Sequence, residues 1–245
     1  MKHWLAATLA LCLSGCAIAP AGTDAEARGR ELLGQMKAAM GGPALDAPSG
    51  FHETGISVRD DGAKMTYETW GDLRSFKSAS LQTVDGRQTR AGFDGESAWH
   101  VLPNGEVQRD TDAHTLFVVN MATYLSVGGY FHPDRFQVKV KYLGRDRPEG
   151  ETSGERWDVV EVWPEKTLPI NLWLDPQTHR LERISGKVSS DETFTTILDD
   201  YRQVDGVSVA FTAKQIDEEH TVTQTTASHT FGPVPPERFM QPKAR

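Results

Sequence analysis

Residues 170–211 read INLWLDPQTHRLERISGKVSSDETFTTILDDYRQVDGVSVAF, and no helical period fits them. Ile170, Leu172 and Leu174 share one face under strand alternation, and Asp175-Pro176-Gln177-Thr178 has the residue types of a tight turn. Val207, Val209 and Phe211 resume the alternation after Asp205-Gly206. The stretch therefore predicts an antiparallel meander, with Asp175-Pro176 and Asp205-Gly206 as turns.

The same habit extends upstream. Asp61-Gly62, Asp85-Gly86, Asp94-Gly95 and Asn104-Gly105 each separate β-prone runs, and such dipeptides are strong hairpin signals. They predict strands over 51–59, 63–70, 74–83, 87–93, 96–102 and 106–109. Phe136, Val138, Val140 and Tyr142 alternate with Gln137, Lys139 and Lys141, which predicts an amphipathic strand. Strands over 155–163 and 220–230 complete the set. Gly232-Pro233-Val234-Pro235-Pro236 then forces an exit turn, after which Phe239 can anchor the chain end in the core.

Two helices interrupt this pattern. Thr23-Asp24-Ala25-Glu26 has capping-box spacing, Leu32, Leu33, Met36 and Met40 form one apolar stripe, and Gly41-Gly42 stops the helix. The second runs roughly from Asp112 to Val127 and ends at Gly128-Gly129. Its apolar residues cover more than one stripe, as in a helix buried on several sides. It is either a core helix under loops or a lid across the mouth of a curved sheet, and in both cases it lies on the concave face.

The first residues read as targeting rather than fold. Lys2 precedes the apolar run WLAATLALCL (4–13), which is too short to span a bilayer at ~20 residues. Leu13-Ser14-Gly15-Cys16 resembles the lipobox of bacterial lipoproteins. That resemblance implies cleavage before Cys16, a diacylglycerol on its sulfur, and residues 16–22 as anchor and tether. The absence of Asp at Ala17 implies the periplasmic face of the outer membrane, by analogy with enterobacterial sorting. Cys12 falls in the leader, so the processed chain keeps a single Cys and no internal disulfide. Residues 23–245 are expected to form one domain.

Charge and motif content narrow the function. With 34 Asp and Glu against 26 Lys and Arg, the chain has no electrostatic reason to bind nucleic acid or an anionic surface. There is no His-Glu-x-x-His, Cys-x-x-Cys, phosphate loop or Gly-x-Ser-x-Gly elbow; Gly95-Glu96-Ser97-Ala98-Trp99 misses the last. Eight His are scattered without ligand spacing, Asp110-Thr111-Asp112 reads as a helix cap, and Asp199-Asp200 alternate across a strand rather than sharing a proton. No catalytic residue, metal site or cofactor is expected.

Gly92-Phe93-Asp94-Gly95 with Ala98-Trp99, Trp173-Leu174-Asp175-Pro176 with Thr178-His179-Arg180-Leu181, and Asp200-Tyr201-Arg202 with Val204-Asp205-Gly206-Val207 together resemble the LolA/LolB-like superfamily of lipoprotein-sorting proteins. The resemblance implies a mainly β fold: a curved antiparallel sheet forming an incomplete β-barrel, covered by helices. It also implies a concavity for acyl chains of lipoproteins or other lipids, and Cys16 brings the chain nearer the lipid-anchored members. The apolar wall is expected from Phe136, Val138, Val140, Tyr142, Leu172 and Leu174, around a cavity of about 300 Å³ or more. The other reading is a structural or interaction lipoprotein whose concavity is packed shut.

Overall fold

The computed structural model describes residues 21–242 except 103, 149–153, 155, 166 and 190. The expected leader, Cys16 and residues 17–20 of the tether lie outside the described residues. Helix α1 spans Ala21–Met40. Thr23 is thus inside the helix rather than ahead of it, so the capping-box reading does not hold. Ala21 continues the helix backward with the best intrinsic propensity of any residue. Leu32, Leu33, Met36 and Met40 are all buried, as their spacing predicts. Gly41 and Gly42 end the helix with φ values of 144° and 54°.

Thirteen strands follow among the described residues: β1 (Gly50–Arg59), β2 (Lys64–Asp72), β3 (Lys77–Val84), β4 (Arg87–Phe93), β5 (Ala98–Val101) and β6 (Val107–Asp110) in the first half; β7 (Lys139–Asp146), β8 (Trp157–Trp163), β9 (Ile170–Leu174), β10 (Leu181–Lys187), β11 (Thr193–Val204), β12 (Val207–Ile216) and β13 (Thr221–Phe231) in the second. Helix α2 (Ala113–Ser126) joins the halves. All strands pair in one antiparallel sheet ordered β6-β5-β4-β3-β2-β1-β13-β12-β11-β10-β9-β8-β7, which does not close. Its edges, β6 and β7, are consecutive in sequence. The chain must therefore pass from one edge to the other across a face of the sheet, and α2 makes that passage.

Local chemistry sets the turns. Asp85-Gly86 and Asp205-Gly206 both have positive φ at each residue (49° and 75°, 49° and 83°), the hairpin geometry whose twist matches the strands. Asp175 Oδ1 accepts the N–H groups of Gln177 at 2.8 Å and Thr178 at 2.6 Å. Burial pushes this carboxyl upward, but the two donors outweigh it and hold its pKa below the ordinary value. Asp72 does the same for Arg74 and Ser75, both at 2.8 Å. That turn delays β3 to Lys77, so 74–76 are not strand as expected.

Four glycines sit directly opposite an aromatic residue: Gly71 faces Phe51, Gly55 faces Tyr67, Gly92 faces Trp99 and Gly186 faces Phe194. In the first three an added Cβ would fall within 2.6 Å of the opposing ring, so each aromatic lies flat over bare backbone. This is the cross-strand arrangement that lets a sheet coil strongly while keeping its surface covered.

The core lies on the second half of the sheet. Helix α1 packs on β7 so closely that a Cβ at Gly29 would stand 2.8 Å from Val140 Cγ1. Val160, Val162, Ile170, Leu172 and Leu174 complete this layer, each fully buried. On the first half, Phe239 buries against Trp70 and Ala79, and Trp99 Nε1 donates to Phe239 O at 2.8 Å. The expected anchor at Phe239 is in place.

Two further expectations need correction. The strand placed over Phe136–Tyr142 begins only at Lys139; Phe136 is in the preceding turn, where Gln137 has a φ of 48°. Phe136 instead meets Phe76 and Tyr124, with ring centroids 5.1 and 5.6 Å away. Side-chain alternation could not distinguish this, because the turn residues extend the same polar–apolar rhythm. Helix α2 also buries less than its composition suggests. Only Met121, Thr123 and Tyr124 are fully covered, whereas Leu116, Phe117, Val118 and Val119 are half-buried. It has a sheet beneath it and no second layer above.

Candidate functional site

A cavity of about 410 Å³ lies between the sheet and the C-terminal end of α2. Its roof is the α2 end, Leu125 to Gly128, and the short 3₁₀ turn with Tyr130 and Phe131. Gly128 adopts a left-handed φ of 60°, and a Cβ on Gly129 would fall 2.3 Å from the Tyr124 ring. The chain therefore reverses tightly over its own helix. Burial pushes the Tyr130 phenol up to about 12, so it stays a neutral wall group.

The floor comes from the middle of the sheet. Leu198, Ala213 and Gln224 follow one another in register across β11, β12 and β13, and all three line the cavity. Phe51 and Phe231 are likewise paired across β1 and β13. Tyr201 lies under Arg180, whose guanidinium is 4.8 Å from the ring centroid, and its hydroxyl donates to Leu181 O. A second space of about 380 Å³ lies between α2 and β2–β5, and Thr69 and Ser126 line both.

Polar groups gather at one place on this floor. Tyr67 Oη donates to Glu53 Oε1 at 3.0 Å and stands 3.2 Å from Thr226 Oγ1. His229 Nδ1 is 2.8 Å from Glu53 Oε2, and Phe51 stacks on the imidazole at a centroid distance of 5.3 Å. Register brings these together: Glu53 pairs with His229, and Tyr67 is opposite Gly55, two residues along the same face. Thr226 and His229 differ by an odd number of positions, yet both face inward because the register shifts between Thr54 and Gly55. Burial, more than the nearby Glu53, pushes the Tyr67 phenol well above its ordinary value.

His132 forms part of the rim, 3.4 Å from Asp46 and with a side chain 13 % exposed. Burial, then Lys37 on α1 and Arg135 beside it, lowers its pKa below 6.5, against the opposing pull of Asp46. A His that is harder to protonate folded than unfolded contributes stability above the unfolded value, and that contribution is lost as pH falls through the folded one. The domain should thus lose stability on acidification from about pH 6.5 downward, and His132→Gln should remove this part of the slope. Urea midpoints measured across that range check it; equal slopes in both proteins would refute it.

The residues chosen from sequence fall elsewhere. Val138, Val140, Leu172 and Leu174 are packed in the core beneath α1, and Phe136 is in its turn against Tyr124. Tyr142 is half-buried, and its hydroxyl donates to the buried Asp158 at 2.7 Å, which also accepts from Arg145 at 3.0 Å. None of the six lines the central cavity. Cys16 lies outside the described residues. Glu53, Tyr67 and His229 escaped the sequence reading because His229 is 176 positions from Glu53 and their meeting depends on the pairing of β1 with β13. The only local signal was Gly55, a lone glycine inside a strand pattern, which marks close approach of another group.

Other candidates resolve into structure. Asp112 caps α2 by accepting Thr115 N–H at 2.9 Å, and Asp110 holds His100 Nδ1 at 2.8 Å. Asp200 pairs with Arg202 at 2.6 Å. Ser97 Oγ accepts from Arg109 at 2.7 Å and donates to Asp94. Among the described residues no helix is long and apolar enough to cross a membrane.

Sheet, helices and cavity together define a class: an open antiparallel half-barrel, helix-covered, with a mainly apolar cavity against its inner face. Within that class the chain has the LolA-like fold. A LolA superfamily protein from Nitrosomonas europaea matches it with a TM-score of 0.57 over 87% of this chain and 97% of that one, at 12% identity. A DUF1329 family protein from Desulfovibrio piger matches with a TM-score of 0.56 over 84% and 93%, at 14% identity. No family model matches the sequence, and neither does any curated protein. At these identities the likeness is one of fold.

Proposed function

We propose that this protein is a non-enzymatic carrier of a hydrophobic ligand, anchored by lipid at Cys16 to the periplasmic face of the bacterial outer membrane. The cavity of about 410 Å³ is the observation behind this reading. It falls within the roughly 300–1,000 Å³ typical of small-molecule sites, and its walls are mainly aliphatic and aromatic. Ligand affinity would come from alkyl burial, about 0.8 kcal/mol for each CH₂ before ordering costs. The LolA-like fold supports an envelope role, and the ligands to consider first are lipids and lipoprotein acyl chains. Leu13-Ser14-Gly15-Cys16 supports the anchor.

The test is uptake of an uncharged fluorescent probe, N-phenyl-1-naphthylamine, by the protein. Saturable binding is expected, and Ala213→Trp should weaken it by about tenfold or more, because Ala213 lies between Leu198 and Gln224 on the floor. Absence of uptake by the unaltered protein would favour an interaction module with a filled concavity. For the anchor, Cys16→Ser should shift the protein from the membrane fraction to the soluble one, and retention in the membrane would refute lipidation.

A further inference from the structure

The two cavities beside α2 share a floor. Strand register sets His229, Glu53, Thr69, Ser80, Ala91 and His100 opposite one another in turn, across β13, β1, β2, β3, β4 and β5. Directly opposed residues lie on the same face of a sheet. His229, Glu53 and Thr69 line the cavity of about 410 Å³, whereas Thr69, Ser80, Ala91 and His100 line that of about 380 Å³. One row of the inner face therefore floors both, and Thr69 is where they meet. At ~4.8 Å between neighbouring strands the row runs about 24 Å along the sheet, more than the ~15 Å that acyl chains span in one leaflet of a bilayer. The roof is shared as well, because Ser126 lines both cavities and Val119 and Ala122 continue over the second. Ala122 and Ser126 stay exposed although they line this space, so α2 stands off the sheet here. The bond that holds α2 down, between Ser78 Oγ and Thr123 Oγ1 at 2.8 Å, is two residues along β3 from Ser80 and so lies to one side of the row.

We propose that the two cavities are one trough that takes a single long alkyl chain, laid across the strands and passing between Thr69 and Ser126 into the space under Val119 and Ala122. The inference rests on the carrier reading and names its substrate class: ligands whose chain is too long for the first cavity alone. Floor and roof fit that shape. Thr69, Ser80 and Ala91 below, and Ala122 and Ser126 above, are small, so a narrow gap is left that an unbranched chain can thread. The walls of the second cavity are mainly apolar, and Asp110 at its far end is already tied to His100 at 2.8 Å. A short chain ends before the waist at Thr69 and gains nothing from the second cavity.

The experiment compares laurate and palmitate, which share a head group and differ in chain length, as competitors of N-phenyl-1-naphthylamine below the concentrations at which they aggregate. Palmitate should displace the probe at a concentration about tenfold lower than laurate, or lower still, because its additional carbons leave water for the second cavity. Ala91→Phe fills that cavity from the floor and Ala122→Phe from the roof. Each should bring the two ligands within about twofold of one another. Equal displacement by both ligands in the unaltered protein, or a palmitate advantage that persists in both variants, would overturn the trough and leave the carrier reading standing. No probe uptake at all would overturn both.

Discussion

Replacing Trp99 by alanine is expected to destabilise the domain by about 3–5 kcal/mol, as for other buried aromatic truncations. The indole is 1 % exposed and lies over Gly92, whose backbone has no side chain to collapse into the space left behind. Its Nε1 is also the donor to Phe239 O, so the variant leaves a buried carbonyl unpaired. Phe239 would lose its hold beside Trp70 and Ala79, and the chain end after Gly232 would loosen from the sheet. For a chain of this size the loss corresponds to a fall of about 10 °C in Tm. Trp99→Phe should lose less, since most of the area is kept and only the N–H is removed. A change in Tm below about 2 °C for Trp99→Ala, followed by circular dichroism, would refute the account.

Gly55→Ala should cost about 3 kcal/mol, the upper end of the range for overpacking. The added Cβ would stand 2.4 Å from Thr225 O and 2.5 Å from Tyr67 Oη. Tyr67 could swing away, at the expense of its bond to Glu53. Thr225 O cannot, because it belongs to the backbone of β13, paired with β1 on one side and β12 on the other. Gly34→Ala is the matched control. It is exposed on α1 with nothing within 4 Å of the new Cβ, and should be neutral or stabilising by about 0.4–1 kcal/mol. Chemical denaturation of the two variants separates steric conflict from the general effect of a Gly-to-Ala change. Comparable stabilities for both would refute the claim that Gly55 is required by close approach.

Much of the fold was legible because its signals are local. Asp205-Gly206 reports the left-handed backbone its hairpin needs, and Asp175 carries its own acceptor to the next two N–H groups. Alternation at Ile170, Leu172 and Leu174 correctly gives a buried face. The candidate site was hardly legible at all. Glu53 and His229 are separated by 176 positions, and their meeting depends on the pairing of β1 with β13. Inward orientation of Thr226 along with His229 depends on a shift of register that alternation alone argues against.

Phe136 and Val138 show the other limit. Both fit an apolar rhythm, yet one is in a turn and the other lies in the core under α1. Alternation tells which residues leave water but not what replaces it. Over β7–β9 the replacement is helix α1, drawn in by its own stripe and by the bare backbone at Gly29. Over β1, β12 and β13 neither α1 nor α2 fills the space above the sheet, and it stays open.

The sequence by itself determined the β meander, its hairpins and the two helices, because each rests on contacts between near neighbours in the chain. Only the tertiary structure decided which stretch of the inner face is packed and which encloses the cavity. That outcome depends on where α1 and α2 settle across a thirteen-stranded sheet, and on a register joining its first strand to its last.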